Sequence, residues 1–251
     1  MRKIVILILA FLSIVYAQNI MSITGDTGSA NDTITVTVDI VNADEFVGFQ
    51  FDIPLPDVAD YVDNSAELSS RATDHQIVDN VYGEDTLSIF AYSMSNDAFT
   101  GNSGTIVTFK LVLGTVPGTY ALDLINTAIA DAGSINILSG TSNGNFTLEA
   151  PDIYVSPMSI DYGRVPLLET SDRNFMIQNT GNTDLSVSGI TSDLADFEVL
   201  ETTAFTLPSG SSQNVTVRFH SNIKGTYEQQ VTIVSDDPDE PSEIVDQSVI
   251  A

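Results

Sequence analysis

From residue 18 onward, apolar and polar residues alternate with a period of two, in short runs separated by glycine, asparagine, aspartate and serine. Such alternation marks half-buried strands, because successive side chains of a strand point to opposite faces of its sheet. In Thr33–Asn42 (TITVTVDIVN), Ile34, Val36, Val38 and Ile40 share one face, and the threonines and Asp39 share the other. In Glu45–Pro56 (EFVGFQFDIPLP), Phe49, Phe51, Ile53 and Leu55 face one way and Gln50 and Asp52 the other; Pro54 and Pro56 then stop further pairing. The same reading predicts strands at Ser22–Thr24, His75–Val81, Thr86–Ser93, Thr105–Leu113, Thr119–Asn126 and Asn145–Glu149. Turns fall at Gly25-Asp26, Asn102–Gly104, Pro117-Gly118 and Asn143-Gly144.

At Glu149-Ala150-Pro151-Asp152 the pattern breaks at a proline, which cannot donate to a sheet, and restarts at Ile153-Tyr154-Val155. Strands are then expected at Ile153–Val155, Ser159–Tyr162, Asn174–Asn179, Leu185–Ile190, Phe197–Leu200, Ala204–Leu207, Gln213–Phe219, Thr226–Ser235 and Ile244–Ile250. Short strands at this density predict an all-β chain of two domains, 18–149 and 150–251: a jelly-roll-like β-sandwich followed by an immunoglobulin-like β-sandwich.

The first residues set the expected compartment. Arg2 and Lys3, the apolar run Ile4–Val15 and the small-residue site Val15-Tyr16-Ala17 read as a secretory signal peptide over residues 1–17. The run has 12 residues, against about 20 for a membrane span. A secreted protein, extracellular or at the cell surface, is expected, with no membrane span in the mature chain. Cysteine is absent, which removes disulfides, lipoprotein anchoring and thiol chemistry.

Without Arg2 and Lys3, 6 basic residues face 34 acidic ones, a net charge of −28. Residues 18–149 carry 18 acids and 2 bases, and residues 150–251 carry 16 and 4. Nucleic acid and anionic membranes are therefore disfavoured as partners, since like charge raises the cost of association. A solvated acidic surface is the plain reading, and calcium binding is the sharper alternative.

Four segments of the first half, in order, resemble the cohesins. They are Gly25–Val41 (GDTGSANDTITVTVDIV), Gly48–Phe51 (GFQF), Gly104–Lys110 (GTIVTFK), and Asp131-Ala132-Gly133 leading to Asn143–Leu148 (NGNFTL). The resemblance implies a nine-stranded jelly roll related to carbohydrate-binding modules, docking a dockerin-like extracellular protein in a setting of polysaccharide degradation. Gln50 and Asp52 lie on the strand that such a partner would meet, and Pro54-Leu55-Pro56-Asp57 departs from the Asp-Pro of typical cohesins. The second half resembles the Hydin-type, or ASH, immunoglobulin-like domain. That resemblance rests on Val155-Ser156-Pro157, Ile160–Gly163 (IDYG), Ile177–Leu185 (IQNTGNTDL), Leu207–Gly210 (LPSG), Val215–Phe219 (VTVRF), Gly225-Thr226-Tyr227 and Ile233–Pro238 (IVSDDP). It implies a spacer or protein-contact unit without catalytic residues, and Asp184 is expected to cap the Asn-Thr-Gly-Asn turn.

No catalytic or metal-ligating constellation is legible. His75 and His220 stand in different domains without metal-ligand spacing, and no G-x-S-x-G element occurs. Asp236–Glu240 (DDPDE) lacks the glycine of a calcium loop and reads as a turn, so no cofactor is expected, with calcium left as the alternative. The carboxylates are too many for a glycosidase pair to be discarded by counting, but they fall in turns and on outward faces. A polysaccharide ligand is the alternative to a protein partner. Tryptophan is absent, which leaves Tyr61, Tyr82 and Tyr92 as sugar-stacking candidates. Tyr92 shares a strand face with Phe90, which alternation assigns to a half-buried core position.

Overall fold

A computed structural model describes residues 18–251; the expected signal peptide falls on residues 1–17, outside the described residues. Among the described residues every regular element is a strand. Residues 20–149 form three sheets. One runs in the order Gly140–Ser142, Ile20–Thr24, Thr33–Val41, Thr105–Leu113, Ala59–Tyr61, with Glu67–Leu68 also on Thr105–Leu113. A second runs Gly118–Leu122, Gly144–Glu149, Thr27–Ser29, and a third runs Ile125–Ala130, Gly48–Pro54, Thr86–Ser93, His75–Tyr82. Residues 153–250 form two sheets. The first is Ile153–Ser156, Thr170–Asn179, Ser212–His220, Phe197–Val199; the second is Ser159–Arg164, Ser242–Ile250, Thr226–Ser235, Leu185–Ser192, Phe205–Leu207.

Two hydrophobic cores result, one drawn from Met21–Ala150 and one from Ile153–Val249. The inward faces are those the alternation predicts. Ile34, Val36, Val38 and Ile40 are buried, as are Phe49, Phe51, Ile53 and Leu55. In the second core Phe197, Phe219, Tyr162 and Tyr227 pack ring to ring at 5.0–6.2 Å. This geometry lets each ring edge meet a neighbour's face.

Some elements differ from the sequence expectation for stated reasons. The single strand expected over Thr119–Asn126 is two strands on different sheets, Gly118–Leu122 and Ile125–Ala130. Asn143 holds the break between them: its Oδ1 accepts from the Leu124 N–H (3.0 Å) and its Nδ2 donates to Asp123 (2.7 Å). The strand expected from Asn174 begins at Thr170, because its polar first turns pair fully with Arg218–His220. There Arg218 meets the Asp172 carboxylate with two bonds of 2.8 Å, a planar fork matched to a carboxylate. The short strands Thr27–Ser29, Ala59–Tyr61, Glu67–Leu68 and Gly140–Ser142 lack an alternating pattern long enough to read.

At the junction, Asn182 rather than Asp184 makes the organising bonds. Its Oδ1 accepts from the Ala150 N–H (3.0 Å) and its Nδ2 donates to the Leu148 carbonyl (2.8 Å). Asn179, fully buried, accepts from Gly181 N–H (3.0 Å) and donates to the carbonyls of Thr183 (2.7 Å) and Leu207 (2.9 Å).

Candidate functional site

The sheet containing GFQF presents an outward face whose residues follow from register. Gly48 and Gln76 flank Tyr92, Gln50 and Val78 flank Phe90, and Asp52 and Asn80 flank Ser88. On the far side Ala128 pairs with Gln50. Phe90 (40% exposed), Tyr92 (36%) and Val78 (43%) therefore stand out of the core as an apolar centre. The Phe90 and Tyr92 rings lie 5.4 Å apart and nearly parallel. Gly48, directly across from Tyr92, puts no side chain against it, and a Cβ there would come within 2.8 Å of the Ala91 carbonyl. A shallow depression of about 260 Å³ opens at this place, lined by Gly48, Gln50, Phe90, Tyr92, Ala128 and Asp131, among others.

The half-buried core role expected for Phe90 and Tyr92 is thus corrected. In Thr86–Ser93 it is Leu87, Ile89, Ala91 and Ser93 that turn inward, so the larger aromatic residues occupy the solvent side. Alternation fixed the pairing of the two rings on one face but not which face met the core.

A polar network borders the apolar centre. The Asp52 carboxylate accepts from Tyr82 Oη (2.9 Å) and from Asn126 Nδ2 (2.6 Å), and Gln50 Nε2 donates to the Asn126 carbonyl (3.1 Å). Partial burial works against the Asp52 charge, but hydrogen bonds from Ser88, Asn126 and Tyr82 outweigh it and hold the carboxyl below its ordinary value. Asn126 adopts a left-handed backbone (φ 50°) at an irregularity in the pairing of its strand, which turns its side chain and carbonyl toward this network. The network brings together Gln50, Asp52 and Tyr82, with Tyr92 two rows along the same face.

Tyr61 is elsewhere. It lies on a strand of the six-stranded sheet, packs against Phe109, and donates to Asp79. Burial, with that bond to Asp79, pushes its hydroxyl up to about 12. Its ring is half-buried against the edge of the first core, away from the Phe90–Tyr92 face.

Behind the face sits His75. Its side chain is fully buried with the ring centroid 3.6 Å from that of Phe99, and Nδ1 accepts from the Thr73 N–H (3.2 Å), leaving Nε2 without an acceptor. Burial pushes its pKa below 6.5, against the pull of Asp74 and Asp97. A lowered histidine pKa means that the native state binds fewer protons than the unfolded one. Its contribution to stability is complete above about pH 6.5 and is lost as pH falls toward the folded value. Thermal midpoints at pH 7.5 and 5.5 should therefore converge in His75→Phe relative to the parent protein. An unchanged difference would show that His75 does not carry it.

Among the described residues, one acidic group could approach a cation. Asp152, Asp237 and Glu240 place carboxylate oxygens within 4.8 Å of one another. Asp237, however, is already saturated by backbone: Oδ2 accepts from Ile153 N–H (2.6 Å) and Oδ1 from Asp239 and Glu240 N–H (3.1 and 3.2 Å). Burial and neighbouring acids raise the carboxyls of Asp239 and Glu240. These bonds make the DDPDE segment a self-capped turn, as its sequence suggests. Asp152, 84 or more residues away in the chain, joins it only through folding.

Residues 151–245 match the family model described as HYDIN/CFA65/VesB-like, Ig-like domain. The C-terminal sandwich matches a known immunoglobulin-like family. Among solved structures, the chain is similar to the ASH/PapD-like domain 7 of human CEP192, with 18% identity, 41% of this chain and 86% of that one covered, and a TM-score of 0.36. The chain is similar as well to a non-cellulosomal cohesin of the archaeon Archaeoglobus fulgidus, with 21% identity, 53% and 91% covered, and a TM-score of 0.46. It is also similar to the chain of a Clostridium thermocellum type I cohesin–dockerin complex (Coh-OlpA-Doc918), with 14% identity, 52% and 99% covered, and a TM-score of 0.47. No curated protein sequence matches the chain. The two resemblances read from the residues, cohesin-like and then Hydin-type, are those the comparisons return.

Proposed function

We propose that this chain is a secreted, non-catalytic docking module, and that the outward face around Phe90, Tyr92 and Gln50 receives a protein partner. The observation that carries the reading is the exposed, nearly parallel aromatic pair Phe90–Tyr92, with Val78 beside it, bordered by the polar side chains of Gln50, Asp52 and Asn126. An apolar centre inside a polar rim is how protein interfaces are built, with the aromatic anchors supplying most of the binding energy. The Asp52–Tyr82–Asn126 network supplies the rim here, already ordered before a partner arrives. The cohesin-like order of segments supports a dockerin-like partner and a setting in polysaccharide degradation. Cohesin and Ig-like domains are binding folds, in keeping with a role without catalysis.

The test is capture of secreted proteins of the source organism on the immobilised protein and on its Phe90→Ser/Tyr92→Ser double variant. A partner held at high salt by the former and weakened by about 700-fold in the latter is expected, from two anchors of about 2 kcal/mol each. Equal capture by both would move the site off this face. Retention on a polysaccharide array, with no protein captured, would replace docking by sugar binding.

A further inference from the structure

We infer that the end of the C-terminal sandwich far from the Ala150 junction is a self-association surface that joins two copies of this chain about a two-fold axis. Two loops build this end, 164–169 and 220–225, tied by the Leu168 N–H donating to the Ser221 carbonyl (3.0 Å). Both push apolar side chains outward: Leu168 is 70% exposed and Ile223 67%. Neither is a loose excursion. The turn Pro166–Glu169 closes on a Glu169 N–H to Pro166 carbonyl bond (3.1 Å) and holds Leu168 at φ 67°. That is the third position of a tight turn, normally filled by glycine or asparagine because a branched side chain is disfavoured there. In the second loop Ser221 Oγ accepts from the Ile223 N–H (3.1 Å), and Tyr227 Oη lies 2.7 Å from both Ser221 Oγ and the Ile223 carbonyl. A leucine kept in a strained conformation and in water twice breaks the rule for a stable turn, which points to a use outside the fold.

The occupant follows from shape and charge. Beside the protruding Leu168 lies an apolar cavity of about 350 Å³, lined by Val165, Pro166, Leu167 and Ile250 together with Arg164 and Lys224. Knob and socket on one surface are self-complementary, as a two-fold interface requires. The charges divide likewise. Arg164 ends one edge strand of its sheet, while Asp196, in the loop that follows Leu185–Ser192 toward the opposite edge, is bonded to this end through its carbonyl and the His220 N–H (2.9 Å). A two-fold turn sets the cations of one copy against Asp196 of the other. In a chain of net charge −26, loops 164–169 and 220–225 carry Arg164 and Lys224 against Glu169 alone, so this end meets a second copy with little repulsion. The result would be a particle that holds two docking faces, gaining avidity on a partner with repeated sites.

A sandwich end offers less area than the roughly 1,200–2,000 Å² of a stable complex, so a dissociation constant on the order of 0.1 mM is expected. Sedimentation equilibrium of residues 18–251 across that range tests it. Leu168→Gly should weaken association at least about tenfold while the melting temperature holds or rises, since glycine relaxes the positive φ. A variant with Arg164→Glu and Lys224→Glu, and another with Asp196→Lys, should each stay monomeric alone and pair when mixed. A monomeric parent at about 1 mM, ten times the expected constant, would overturn the inference. So would unchanged association in Leu168→Gly, or no pairing in the mixture.

Discussion

Replacing Arg71 with methionine is expected to lower the stability of the N-terminal sandwich by about 3–5 kcal/mol, measured by urea unfolding. Arg71 is 8% exposed and has no carboxylate partner among the described residues. Its guanidinium instead donates to the carbonyls of Thr100 (2.8 Å), Ile40 (2.9 Å), Gly104 (3.0 Å) and Gly101 (3.3 Å), and to the Asn42 side-chain oxygen (2.7 Å). It also lies over the Phe46 ring at 5.6 Å, in a cluster where Phe46 stacks on Phe99 at 4.8 Å. One planar fork thus satisfies acceptors from the strand Thr33–Val41 and from the loop 100–104, which no apolar side chain can do. Lysine keeps the charge but not the fork, so Arg71→Lys should recover only part of the loss. A change below about 1 kcal/mol for Arg71→Met, the size of an ordinary surface substitution, would show that water replaces these bonds without cost.

The second large effect is expected at Gly181. Its φ is ordinary, so conformational freedom is not why it is glycine. A Cβ there would stand 2.4 Å from the Ala150 carbonyl oxygen and 2.6 Å from the Asp152 nitrogen, both backbone atoms that cannot rotate away. Gly181→Ala should therefore cost about 3 kcal/mol, at the upper end for overpacking, because the linker must move. The displaced linker would also lose the Asn182 bonds to Ala150 and Leu148. Hydrogen exchange at the Ala150 amide should accelerate together with the fall in the unfolding midpoint. Loss of stability with that amide still protected would mean that the strain is absorbed elsewhere in the hairpin.

These two residues mark where sequence reading stops. Arg71 is one of only two bases among 18 acids in residues 18–149, and that isolation was the signal that could have singled it out. Its five acceptors come from segments about 30 residues away in either direction, and nothing local announces them. Gly181 was legible as part of a turn in IQNTGNTDL, but its reason is the close passage of a linker 30 residues earlier. The candidate face was half legible: Gln50 and Asp52 follow from alternation in GFQFDIP. Asn126, which ties both of them together, was read only as the end of a strand.

What the sequence determined by itself is the all-β class, the strand cores and the inward residues of the long strands. A period of two over seven to nine residues, with apolar side chains on one side only, leaves one arrangement that buries them. Thr33–Val41 and Gly48–Pro54 show this directly. Tertiary structure alone decided which face of Thr86–Ser93 meets water, because both of its faces are apolar enough to be buried: Leu87, Ile89 and Ala91 against Phe90 and Tyr92. Only packing against the opposite sheet chooses between them, and that choice leaves the two aromatic rings in solvent as the candidate docking site.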